Sequence, residues 1–190
     1  MPKSYIEDGK YNNTDFTDSP LIKGNYENCS FANCNLAGTN LSDIYFIECR
    51  FEQCDLSVAK IENTAFRNVI FKNCKLLGLR FDAANAVGFE VQFDTCQLNL
   101  SSFYQRSLKN TLFKDCSLRE VDFVEADLTN VRFDNCDLSG AIFENTIVEK
   151  ADFRSAFHFS INPEINRIKK AKFSMAGIIG LLDNYDIIIE

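Results

Sequence analysis

A period of five residues governs this chain, and it is clearest from Thr111 to Phe153. Large apolar residues stand there at Phe113, Leu118, Phe123, Leu128, Phe133, Leu138, Phe143, Val148 and Phe153. Two places before each comes a small or β-branched residue: Thr111, Cys116, Val121, Ala126, Val131, Cys136, Ala141, Thr146 and Ala151. The same beat runs upstream from Phe16 to Phe81, and Tyr11 extends it towards the start. An amphipathic helix repeats every ~3.6 residues and a strand every ~2, so neither alone accommodates a period of five. A fixed period held this long signals a solenoid, in which each unit buries its apolar side on its neighbours.

If four units make one coil, residues 20 apart share a face. Phe31, Phe51 and Phe71 then stack, as do Leu36, Leu56 and Leu76. The stretch 82–92 (DAANAVGFEVQ) breaks the register, and a two-residue bulge there restores it. Phe93, Phe113, Phe133 and Phe153 then continue the Phe column, and Leu98, Leu118 and Leu138 the Leu column. Gly88 suits such a bulge, because glycine accepts a positive φ without a steric penalty. The alignment also places Cys34, Cys54, Cys74, Cys96, Cys116 and Cys136 in one inward column, with Cys29 and Cys49 before the Phe face. No CxxC pair occurs, so these thiols read as small core hydrophobes rather than metal ligands or a disulfide framework.

Units such as 126–130 (ADLTN) and 136–140 (CDLSG) resemble the pentapeptide-repeat family. The resemblance implies an all-β solenoid, a right-handed quadrilateral β-helix of about seven coils with four pentapeptides per coil. Residues 1–10 are expected to be a lead-in, 11–157 the β-helix, and 158–190 a closing segment. Past Ala156 the beat fails, with His158 where an apolar residue is due. A short C-terminal α-helix is expected over about 174–184, with Ser174 as its N-cap, followed by a terminal strand. In related proteins such a helix pairs two subunits. A homodimer through Ile178, Ile179, Leu181, Leu182, Tyr185, Ile187 and Ile189 is therefore expected.

Arg106 is the odd inward residue, in a column reading Ile44, Thr64, Ala84, Arg106, Ala126, Thr146. Two readings stand open: its guanidinium reaches carbonyls or an acid in room made by the bulge and its small neighbours, or the chain deviates and Arg106 points out. The cluster Arg167, Lys169, Lys170 and Lys172 reads as a solvated edge.

No catalytic constellation is found. There is one His and no phosphate loop or nucleophile elbow, so a non-enzymatic chain with no cofactor, metal or small-molecule substrate is expected. The net charge of −7 argues against direct binding to nucleic acid, and no long apolar run suggests a membrane span, so a cytoplasmic location is expected. The charge is uneven: residues 82–157 hold 13 acids against 7 bases, where 11–81 are nearly balanced. Glu120, Asp122, Glu125, Asp127, Asp137 and Glu144 form the densest outward group, the candidate partner-facing surface. The chain is similar to the Qnr-type quinolone-resistance proteins, dimeric rods thought to imitate duplex DNA. That similarity implies DNA gyrase or topoisomerase IV as partner. The alternative is a repeat scaffold for another protein. Many Qnr-type proteins of Gram-negative bacteria carry projecting loops, whereas here there is only the bulge.

Overall fold

The computed structural model describes residues 4–185 and 187–188. The chain winds as a parallel β-solenoid with short strands on two faces. One face is the sheet β1 (Ser4–Glu7), β3 (Gly24–Glu27), β5 (Tyr45–Ile47) and β7 (Ala65–Arg67). The other is a longer sheet, in the order β2 (Lys10–Asn12), β4 (Ser30–Ala32), β6 (Arg50–Glu52), β8 (Val69–Lys72), β9 (Val91–Asp94), β10 (Leu112–Lys114) and β11 (Arg132–Asp134). Single parallel bridges such as Asn35 with Asp55 and Asp122 with Ile142 join coils on the remaining faces.

The register is the one read from the sequence. Phe31 pairs with Phe51 and Phe51 with Phe71. Across the break Phe71 pairs with Phe93, and Phe93 then pairs with Phe113. The two extra residues are absorbed between Ala84 and Glu90, whose amide returns to Phe66 O at 2.9 Å. Gly88 takes φ +69° inside the bulge.

The core is a set of columns. Phe rings of successive coils lie nearly parallel, with centroids 5.0 Å apart for Phe93–Phe113 and 5.2 Å for Phe113–Phe133. A second column, Phe81, Phe103, Phe123 and Phe143, meets the first edge-on. Each such ring contributes about 1.5–3 kcal/mol by leaving water, and all but the terminal rings are essentially inaccessible. The predicted Leu and Cys columns are buried beside them.

The thiols fill a polar role as well as a steric one. Cys54 Sγ donates to Phe31 O at 3.4 Å, Cys96 to Phe71 O at 3.3 Å, and Cys136 to Phe113 O at 3.4 Å. Thr64 and Thr146 make the same bond with their hydroxyls, to Leu41 O and Phe123 O. All eight cysteines are free.

Most corners are turned by a residue in the left-handed region, two places after the large residue. Ten of these are Asn, which tolerates that region better than most side-chain-bearing residues, so corner geometry accounts for about half of the chain's asparagines. Several corner amides continue the stacking outside, as in Asn63 Nδ2 to Asp43 Oδ1 at 2.9 Å and Asn135 Nδ2 to Asp115 Oδ1 at 2.7 Å.

Bridges persist beyond residue 157: Ile147 pairs with Arg167 and Asp152 with Lys172. The C-terminal helix is slight. In place of an α-helix there are two 3-10 turns, Gly177–Leu181 and Asp183–Tyr185. The glycines explain this: a Cβ at Gly180 would lie 2.1 Å from Phe159 O, so the turn is pressed onto the last coil rather than standing off as a free helix. Ser174 Oγ does accept the Gly177 amide at 3.0 Å. Ile187 and Ile188 are in no strand, and the remainder of the expected terminal strand, including Ile189, lies outside the described residues.

Candidate functional site

The six acids of the predicted surface divide by chemistry. Asp122, Asp127 and Asp137 each follow an inward residue, and each turns its carboxylate onto the amide two places ahead. Oδ1 accepts from Val124 N at 2.9 Å, Thr129 N at 3.1 Å and Ser139 N at 3.1 Å respectively. These are Asx turns, which hold the next corner. Asp127 also meets Lys109 Nζ at 3.0 Å, and Asp137 meets Arg119 Nε at 3.9 Å. Burial alone would raise the Asp127 carboxyl, but the Thr129 and Lys109 hydrogen bonds outweigh it and hold it below the usual range. At Asp137 burial is likewise outweighed, by Ser139 and His158.

Glu120, Glu125 and Glu144 are different. All three are exposed, and their carboxylates support no backbone turn. Glu120 and Glu125 sit at corners, with φ 55° and 57°, which aims their side chains off the edge of the rod. Glu125 accepts one hydrogen bond, from Gln105 Nε2 at 2.7 Å. The outward acids are therefore half framework and half free surface. The sequence carried a signal for the difference, the Asp-x-Ser/Thr spacing at 127–129 and 137–139, which composition alone overlooks.

Ser139, His158 and Asp137 come together, but not as a nucleophilic relay. Ser139 Oγ and Asp137 Oδ1 both approach the same imidazole nitrogen, Nδ1, at 3.1 and 3.0 Å. Activating a hydroxyl requires the acid on one ring nitrogen and the hydroxyl on the other. Among the described residues no group of three His, Cys, Asp or Glu could hold a metal ion. No described helix is long and apolar enough to cross a membrane.

Arg106 points inwards. Its Nη2 donates to the carbonyls of Asp82 and Ala84, and its guanidinium lies 5.8 Å from the centre of the Phe89 ring. Burial pulls its pKa down, while Asp82 pushes it up. Of the two readings of this residue, the structure selects the first.

At the C-terminal end a groove of about 420 Å³ runs between the last coil and the tail, with Phe157, Phe159 and Ile179 among its walls. Ile178, Ile179, Tyr185 and Ile187 of the predicted dimer surface are exposed. Leu181 instead packs partly against the core, and Leu182 is half-buried.

Comparison with known proteins agrees with this architecture. No curated protein matches the sequence. Full-length QnrB1, described as a plasmid-mediated fluoroquinolone resistance protein, has a similar structure at 14% identity and a TM-score of 0.60. The match covers 97% of this chain and 100% of QnrB1. HetL, a pentapeptide repeat protein involved in heterocyst differentiation regulation from the cyanobacterium Nostoc sp., matches at 15% identity and a TM-score of 0.56. There 92% of this chain and 88% of HetL are covered. At these identities the likeness concerns the fold. A family model described as "Pentapeptide repeat region" matches residues 24–89 and 89–156, the two matches meeting inside the bulge. The chain belongs to the pentapeptide-repeat family.

Proposed function

We propose that this chain is a non-catalytic interaction protein that works through the outside of its rod, with DNA gyrase or topoisomerase IV as the partner. The observation that carries the reading is the set of exposed acids that brace no turn, Glu120, Glu125 and Glu144, on the half that holds 13 acids against 7 bases. An interior filled by rings and thiols leaves only the outer surface to offer. The fold shared with QnrB1 supports the choice of partner. The imitation of DNA is dilute: coils rise about 4.8 Å each, whereas duplex DNA carries one charge per about 1.7 Å. Binding weaker than that of DNA itself is expected.

In the same reading two copies pair through the tail, burying Ile178, Ile179, Leu182, Tyr185 and Ile187, which are wholly or partly accessible in the single chain. Leu182→Glu then yields monomers in light scattering.

Supercoiling by purified gyrase, with and without a quinolone, is the test. Inhibition, or protection from the drug, at micromolar protein supports the proposal. If neither occurs and pull-down recovers another protein instead, the chain is a scaffold for that protein and the gyrase reading fails.

A further inference from the structure

The last coil ends on an open ladder. In the coil below, Val148 N donates to Arg167 O, Lys150 N to Lys169 O and Phe153 N to Lys172 O, while Thr146 O and Ala151 O accept from Arg167 N and Lys172 N. The groups one coil further on are the amides of Ile168, Lys170 and Phe173 and the carbonyls of Asn166 and Ala171. None of these has a hydrogen-bond partner among the described residues. Among the described residues the tail does not pair with them; it meets the other side of the coil, where Ile161 N reaches Gly180 O at 2.8 Å.

Side chains along this edge tell the same story. Val148 and Phe153 are fully buried, but their successors Ile168 and Phe173 are only partly so, and Ile165 is 46% exposed. Around them stand Lys150, Lys169, Lys170 and Lys172, none in an ion pair among the described residues. Arg167 beside them is paired with Glu149 at 2.7 Å. Glu149 and Asp152 of the coil below are taken up by Arg167 and Arg154, so in a chain of net charge −7 an excess of lysines surrounds a row of unused strand donors and acceptors.

We propose that this edge is a docking site for an extended acidic segment of a partner protein, which adds one more parallel strand to the last coil. Main-chain pairing would supply the ladder, apolar residues at alternate places would cover Ile168 and Phe173, and carboxylates would meet the lysines. A protein segment fits better than duplex DNA. The acids from Asp115 to Glu144 begin one to two coils away, roughly the Debye length of about 8 Å at physiological salt. A long polyanion would overrun the lysines and meet those acids, whereas a short strand stays on the edge. Duplex DNA also has no groups to pair with the open amides.

A fluorescent ten-residue peptide alternating Glu and Val, titrated into the full-length chain at low and physiological salt, tests this. Saturable, salt-weakened binding is expected, falling at least about tenfold in Lys169→Glu/Lys170→Glu/Lys172→Glu. A similar fall is expected when the peptide's Glu residues become Gln, or when a central Val becomes Pro and removes a ladder amide. Equal binding by the triple variant, indifference to Pro, or equally tight binding of a short DNA duplex would overturn the proposal. So would much tighter peptide binding after deletion of residues 186–190, which would assign the edge to the chain's own end. Because the gyrase test reads the free acids and this one reads the lysine edge, either can fail alone.

Discussion

Arg106 and Phe89 are joined across the bulge, the guanidinium carbon lying 5.8 Å from the ring centroid while Nη2 serves the carbonyls of Asp82 and Ala84. One buried cation thus satisfies the backbone where the coil lengthens by two residues and loses its normal rung. Arg106→Leu fills the space but leaves those carbonyls without donors. A loss of about 1–3 kcal/mol is expected in denaturant unfolding, concentrated as faster hydrogen exchange around residues 82–90. Unchanged stability would remove this role from Arg106.

The thiol columns predict silence towards thiol reagents. Burial pushes the Cys49 thiol up to about 12, and at Cys96 the neighbouring Cys116 thiol is the largest cause of a rise to about 12. The nucleophilic form is the thiolate, so an aromatic disulfide reagent should titrate essentially no thiols in the folded chain and all eight after denaturation. Cys96→Thr should fold and lose no more than about 1–2 kcal/mol, because Thr64 and Thr146 already make the equivalent bond. Rapid reaction of several native thiols would contradict this packing.

Val58 is held at φ 49°, where a β-branched side chain crowds its own backbone, yet it is 64% exposed and so gains little from burial. Val58→Asn should raise stability by about 1 kcal/mol, seen as a higher denaturation midpoint with unchanged slope. A lower midpoint would mean that its contact with the neighbouring coil at Gly78 outweighs the strain.

Asp137 sets an acid limb. Its folded pKa lies below that of the unfolded chain, so its contribution is present above the unfolded value and is lost as pH falls through the folded one. With an unfolded value of about 3.9, the loss should develop below about pH 4. Asp137→Asn keeps an acceptor for Ser139 N and should flatten the stability profile there. An identical acid limb in the variant would exclude Asp137 as a cause.

How far the sequence revealed all this depended on periodicity. Inward columns repeat at fixed spacing, so residue types alone align Phe31 to Phe153 and Cys34 to Cys136 and locate the two-residue bulge. The end of the chain was less legible. Leucines and isoleucines at 178–182 suggest a helix, but Gly180 allows so close an approach to Phe159 that tight 3-10 turns form instead. The acids misled in another way. Counted by charge alone the outward acids look equivalent, whereas Asp127 braces the Thr129 turn, a difference its Asp-x-Thr spacing signals, and Glu120 braces nothing. The unpaired edge at Ile168 and Lys170 could not be seen from residue types, because it is a property of main-chain pairing.

The free acids as a gyrase-binding surface are tested most directly by one titration, immobilised gyrase against the wild-type chain and against Glu120→Lys/Glu125→Lys/Glu144→Lys. The three sites brace no turn, so the variant should keep its fold and unfolding midpoint. Saturable wild-type binding that weakens at least about tenfold in the variant is the predicted result. No wild-type binding at micromolar concentration, or equal binding by the two proteins, would contradict it.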